Sequence, residues 1–281
     1  MTPTTYLGLH LRFILPPILL VGLLAYRRPA ASWGRVPFAG LGVILVLAVG
    51  YTTPWDNLLI EQGVWTYGGG VTAAHVWAAP IGEYLFFILQ PLLVALWLYN
   101  LDIPTEGGLR IPIGTRALGL VAGLAVVAVG VGLVLSGPST LYLGAILGWA
   151  GPILAIQWAF GWPHLLRAWK AVAAGIGVPT VYLWAVDWYA ITNGLWTLSD
   201  TYTVGIAPFG LPIEEALFFF ITNAFIVQGL VLYLWLVDQW PTVAPDVRAA
   251  VPPAFEKLCP SRTPVAATET EGGEDRDRTA T

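Results

Sequence analysis

Apolar positions along this chain neither alternate nor recur only at helical spacing; they run on. Seven stretches of about twenty nearly unbroken apolar residues are separated by short polar segments. As helices rising about 1.5 Å per residue, each is long enough to cross a hydrocarbon core of about 30 Å. They are predicted at roughly Leu7–Tyr26, Val36–Thr53, Val76–Tyr99, Pro112–Leu135, Leu141–Phe160, Ala168–Val186 and Val204–Val237. The last is interrupted at Pro208–Pro212 and is expected to begin as a loop over the membrane face. Pro16, Pro17, Pro91, Pro152 and Pro179 fall inside these runs, where neighbouring helices can satisfy the freed backbone groups. The pattern predicts an all-α, polytopic membrane protein.

Charge adds direction. Arg27, Arg28 and Arg35 follow the first span, Arg110 and Arg116 the third, and Arg167 and Lys170 the fifth; more cations follow the seventh. The opposite loops contain no Lys or Arg. The positive-inside rule then predicts a multi-pass cell-membrane protein with its N-terminus outside and its C-terminus cytoplasmic. Arg12 lies within the first apolar run and Arg27–Arg28 close it, so this segment reads as a span rather than a cleaved signal. From Pro241 the chain turns proline-rich and then acidic, ending in "ATETEGGEDRDRTAT", and is predicted to be a disordered tail.

The chain also repeats itself. "DNLLIEQGVWT" (Asp56–Thr66) aligns with "DWYAITNGLWT" (Asp187–Thr197), and "PIGEYLFF" from Pro80 with "PIEEALFF" from Pro212. Each copy reads as a span with an Asp near its outer end, a G-x-W-T loop, then P-I-x-E heading the next span. Moving four spans along restores the same orientation, so the repeats are parallel. The predicted divisions are a first three-helix repeat at 1–104, a linker span at 105–138, a second repeat at 139–240 and the tail at 241–281.

Only 11% of the 281 residues are charged and 57% are apolar, whereas a soluble domain is typically about a quarter charged. Against that background, carboxylates at membrane depth mark a site or a path by default. Glu83 shares a helix face with Phe86, Phe87 and Gln90; Glu215 shares one with Phe218, Phe219 and Thr222. Helix capping is the plainer account of both glutamates, and solvated span ends the plainer account of Asp56 and Asp187. An acid kept neutral in such surroundings can protonate a carbon–carbon double bond, and aromatic faces can stabilise the resulting cation. Ordinary packing explains most of the phenylalanines, while Trp65 and Trp196 read either as interfacial anchors or as pocket walls. No metal and no cofactor is expected. The single cysteine, Cys259, and the scattered His10, His75 and His164 match no ligand spacing, and no dinucleotide or phosphate loop and no basic run for nucleic acid is present.

The twin P-I-x-E-x-L-F-F strings, each preceded by D…G-x-W-T, resemble the non-flavin lycopene cyclases of archaea, actinobacteria and fungi. The resemblance runs from about Leu7 to Trp240, with the two halves fused through the fourth span. It implies an isomerase of carotenoid biosynthesis that forms β-rings on lycopene, giving β-carotene through γ-carotene. It implies lycopene and the bilayer as partners, with other membrane enzymes of the carotenoid pathway as candidates. Its acidic P-x-E-E motif falls on Pro212, Glu214 and Glu215; in the first copy Gly82 replaces one acid. The expected catalytic set is Glu215 as general acid, Glu214 tuning or relaying to it, Glu83 as base, and Asp56 and Asp187 holding loop geometry or assisting the relay; the residues leave the acid and base roles open to exchange. Trp65, Trp196, Phe86, Phe87, Phe218 and Phe219 are expected around the substrate. Two rival readings stay open from the residues alone: a proton-coupled transporter, and a hydratase in which water captures the same cation. A retinal protein is excluded, because the only lysines are Lys170 and Lys257.

Overall fold

The computed structural model describes residues 5–27 and 36–243, together with Arg248. Arg28, Arg35, Cys259 and nearly all of the predicted tail lie outside the described residues. Seven helices are long and apolar enough to span a bilayer: α1 (Tyr6–Arg27), α2 (Val36–Gln62), α3 (Ile81–Leu98), α4 (Ile113–Ser136), α5 (Leu141–Arg167), α6 (Trp169–Thr192) and α7 (Ile213–Gln239). Strand among the described residues is limited to β1 (Trp65–Tyr67), β2 (His75–Val76), β3 (Ala79–Pro80) and β4 (Trp196–Leu198). The protein is an all-α, polytopic membrane protein.

Five boundaries differ by five or more residues from the sequence expectation; one is the end of α5, which continues past Phe160 to Arg167 across a kink at Gly161. Helix α2 continues past Thr53 to Gln62, and α6 past Val186 to Thr192, so Asp56 and Asp187 lie inside helices rather than at span ends. The polar residues beyond Thr53 are tolerated because they have work to do. Asn57 donates to the Thr53 carbonyl at 2.8 Å and accepts from the Ala78 and Ala79 amides at 2.9 and 2.8 Å, pinning the following loop. Helix α3 starts at Ile81, not Val76, and α7 at Ile213, not Val204. Pro80 and Pro212 stand immediately before them in extended conformation, each lacking the N–H that a longer helix would need. Phe209 and Gly210, both at positive φ, complete the break before α7.

A π-helical turn at His10–Ile14 interrupts α1 just ahead of Pro16 and Pro17, where two successive amide donors are missing from the ladder. It leaves His10 buried, with Nε2 2.9 Å from the Gly82 carbonyl of α3.

Helices α3 and α7 form the centre. Helix α7 packs on α2, α3, α5 and α6, and α3 packs on α1, α2, α6 and α7. A buried polar network joins them: Gln90 donates to Thr222 at 2.8 Å and to Asn223 at 3.0 Å, and Asn223 donates to Thr180 at 2.9 Å. Satisfied in this way, such groups cost little and fix the register of neighbouring helices. Above them β1 pairs antiparallel with β4, with Thr66 opposite Thr197, Trp65 opposite Leu198 and Tyr67 opposite Trp196. Residues aligned with one another in the two sequence copies, Thr66 with Thr197 and Gln90 with Thr222, therefore face each other across one line through the bundle.

Helix α4 packs chiefly along α5 as an antiparallel hairpin. Glycines let the backbones approach: a methyl added at Gly123 would lie 2.3 Å from the Ala155 Cα, and one at Gly130 2.3 Å from the Gly148 nitrogen. Between membrane helices, where lipid is as apolar as leucine, such close packing supplies much of the attraction.

Candidate active site

Because α3 and α7 each begin directly after a proline, Glu83 and Glu215 both occupy the third helical position. Each is thereby turned inward beneath the β1–β4 pair. There they meet Asp56 from α2 and Asp187 from α6 around one cavity of about 60 Å3. Its walls include Tyr6, Trp55, Trp65, Tyr142, Trp196 and Phe218. Asp56, Asp187 and Glu215 are at most 8% exposed, and no Lys or Arg lines the cavity among the described residues.

Neither glutamate merely caps its helix. Glu83 Oε1 accepts from the Tyr67 hydroxyl at 2.5 Å, and the Tyr67 oxygen accepts from Trp65 Nε1 at 3.0 Å. The Tyr6 hydroxyl is a second donor to Glu83. Burial, followed by the nearby Glu83 and Asp56, pushes the Tyr67 phenol far above the usual tyrosine range, so it stays a donor at any physiological pH. Glu215 Oε1 accepts from Tyr142 at 2.9 Å. Trp196 Nε1 donates to Asp187 Oδ1 at 3.1 Å. The second carboxyl oxygens of Asp56 and Asp187 are buried and have no hydrogen-bond partner among the described residues. In helices that supply no local partner, such oxygens are costly unless something in the cavity uses them.

Of the residues expected from sequence, Glu215, Glu83, Asp56, Asp187, Trp65, Trp196, Phe86, Phe218 and Phe219 come together at this cavity. Two do not. Glu214 is fully buried but turns away; its Oε1 accepts from the Val204 amide at 2.7 Å and so fastens the loop before α7. Phe87 lines a neighbouring cavity instead. The Gly82 departure has a steric reason: a methyl there would lie 2.4 Å from the Tyr6 ring. The first copy gives up the second acid to make room for the tyrosine that reaches Glu83.

Sequence reasoning missed Tyr6, Tyr67, Tyr142 and Trp55. Tyr67 directly follows G-x-W-T and was discoverable there, but its aligned counterpart is Leu198, so comparing the copies concealed it. Tyr142 does for Glu215 what Tyr67 does for Glu83, but from a different element. Trp55 stacks against Trp149 at 4.7 Å and Phe218 at 5.9 Å, making an aromatic wall.

No family model matches the chain, and no solved structure does. Named proteins do. The chain is 45% identical over 239 residues to the "Lycopene beta-cyclase" of Halobacterium salinarum, covering 84% of this chain and 99% of that protein. It is 33% identical over 252 residues to the "Bifunctional lycopene cyclase/phytoene synthase" of Gibberella fujikuroi, covering 86% of this chain and 43% of that protein. The corresponding protein of Neurospora crassa is 31% identical over 257 residues, again with less than half its length covered. An end-to-end match at this identity, to a protein of similar size, leaves one assignment: the chain belongs to the lycopene beta-cyclase family.

Proposed function

We propose that this protein closes β-rings on the acyclic ends of lycopene, giving β-carotene by way of γ-carotene, through acid–base catalysis without net oxidation or reduction. The observation that carries the mechanism is the convergence of four carboxyls, two from each half of the chain, on one aromatic-walled cavity. Ring closure adds a proton at the terminal double bond, forms a carbon–carbon bond through a carbocation, and removes a proton from the new ring. Glu215 is the acid: among the described residues its carboxyl has the Tyr142 hydroxyl as its one side-chain donor, and it faces the cavity. Glu83, held by Tyr67 and Tyr6, is the base, since two phenolic donors suit it to carry charge. The faces of Trp55, Trp65 and Phe218 stabilise the cation between these events. One proton enters and one leaves per ring, so a transfer from Glu83 back to Glu215 resets the site. Asp56 and Asp187, with free carboxyl oxygens in the same cavity, carry it. Glu214 acts through the loop it fastens rather than on substrate.

The two halves read as a duplication, 1–104 and 139–240, joined by the linker helix. Support comes from aligned residues meeting on one line, Thr66 against Thr197 and Gln90 against Thr222. The acids of both halves share that line, so a single site serves each end of the substrate in turn. The acid cavity belongs to the outer face and the C-terminus to the cytoplasm. Arg116, which donates to the Phe160 carbonyl at 2.9 Å, lies at the opposite end of the bundle from the acids, and a cation at that end supports this orientation.

Expression in cells that accumulate lycopene tests the reaction. A bicyclic orange product is expected; a hydroxylated acyclic product or unchanged lycopene contradicts it.

A further inference from the structure

The acid cavity is small for a long polyene. Its volume of about 60 Å3 is less than half that of its apolar neighbour. A second cavity, of about 140 Å3, lies between α2, α3, α5 and α7. Phe218 lines both cavities. The second lies deeper: from Asp56 to Ile44 on α2, and from Glu215 to Ile226 on α7, the helices descend roughly 16–18 Å toward the bilayer interior. Its lining is apolar in the main, with Ala48, Phe87, Trp149, Ile153 and Phe225 among its walls. Leu47 and Tyr51 on its rim are exposed on the surface of the bundle, which in a membrane faces lipid. Across the central line, Ile18, Leu93 and Leu183 belong to a packed core, and the Tyr182 hydroxyl is tied to the Phe13 carbonyl. The opening is therefore one-sided.

We propose that this second cavity binds the stretch of conjugated chain next to the reacting end while that end is being cyclised, with Phe218 as the partition between it and the acid cavity. The proposal rests on the ring-closure reading above and identifies where the adjoining part of that substrate lies, the far end extending past the rim into lipid. The occupant is the polyene rather than a lipid acyl chain because the cavity lies directly against the site where the polyene's end must react, with the Phe218 side chain as the wall common to both. A rigid conjugated rod held at one end extends along one direction, and the second cavity is an apolar space adjoining that end whose walls come from the central helices α3 and α7 as well as α2 and α5. Substrate then enters sideways from the bilayer past Leu47 and Tyr51. After the first ring closes the molecule leaves by the same route and returns with its other end leading.

Two bulky substitutions on opposite walls, Ala48→Trp and Ile153→Trp, test this in the full chain in membranes. Neither residue lines the acid cavity. Cyclisation is measured on lycopene and on a truncated apo-lycopenoid aldehyde that keeps one acyclic end and only the first few conjugated double bonds. Filling a well-fitted apolar cavity should lower kcat/KM for lycopene roughly tenfold or more. The truncated substrate should change less than about twofold. The first-ring product should also accumulate if re-entry is slowed. Unchanged turnover of lycopene in both variants overturns the proposal and leaves the cavity to lipid. An equal loss on both substrates overturns it too, because the defect would then not depend on chain length. Inactivity of the unsubstituted protein on lycopene would instead refute the ring-closure reading itself.

Discussion

Tyr142 and Tyr67 do the same task from unrelated places, and each can be tested alone. Removing the Tyr142 hydroxyl in Tyr142→Phe leaves the Glu215 carboxyl without its side-chain donor among the described residues; ring formation should slow about tenfold, the equivalent of ~1.4 kcal/mol in the barrier. Product formation per folded molecule is the measurement, and an unchanged rate would separate Tyr142 from the mechanism. Glu83→Gln keeps shape but cannot accept the ring proton. Because acids of both halves share one cavity, it should suppress both rings by at least about a hundredfold. Loss of one ring only, with γ-carotene as the end product, would point to two sites. Gly82→Ala asks a steric question: its methyl meets the Tyr6 ring at 2.4 Å, and relieving that clash should cost about 1–3 kcal/mol. A lowered melting temperature in detergent, with lowered activity, is expected.

Helices set where these residues can act. Two prolines start α3 and α7 at matched points, and this local rule, legible in the sequence, placed Glu83 and Glu215 in equivalent positions before any coordinates. The same reasoning misplaced Asp56 and Asp187 at span ends. Hydropathy falls at Thr52–Thr53 and again after Val186, but falling hydropathy does not end a helix whose polar side chains find partners, as Asn57 does. Glu214 shows the converse limit. Adjacent residues on a helix point about 100° apart, so one of an acidic pair can face the cavity while its neighbour faces a loop. Which one faces in depends on how α7 is rotated against its neighbours, and that is set by tertiary packing. The α4–α5 hairpin offers a test at this scale. Gly130→Leu would drive a side chain into the backbone at Gly148. It should reduce the yield of folded protein and its thermal stability far more than the activity of whatever folds, because neither glycine touches the acid cavity.

For the whole molecule, seven spans follow from uninterrupted hydropathy, and the proposal of two halves rests on two short strings repeated in the same topological setting. The aromatic and phenolic lining was only partly legible. Tyr6, Tyr142 and Trp55 come from three different helices, and no spacing in the sequence links residues that converge only after the helices pack. What emerges is a bundle in which two similar sequence strings each bring an Asp and a Glu to one cavity, while differences between the strings make these acids unequal: a tyrosine after one tryptophan but not the other, a glycine where the other string has a glutamate. Unequal partners are what an acid and a base require. The site lies on the central line, with a one-sided apolar annex beneath it.

The central claim is that Glu215 delivers the proton that starts ring closure, and Glu215→Gln in lycopene-accumulating cells tests it most directly. With variant and unsubstituted protein present in membranes at equal amounts, the account predicts that unsubstituted protein converts lycopene to β-carotene while the variant leaves lycopene unchanged. Bicyclic product formed by the variant at an undiminished rate would contradict it.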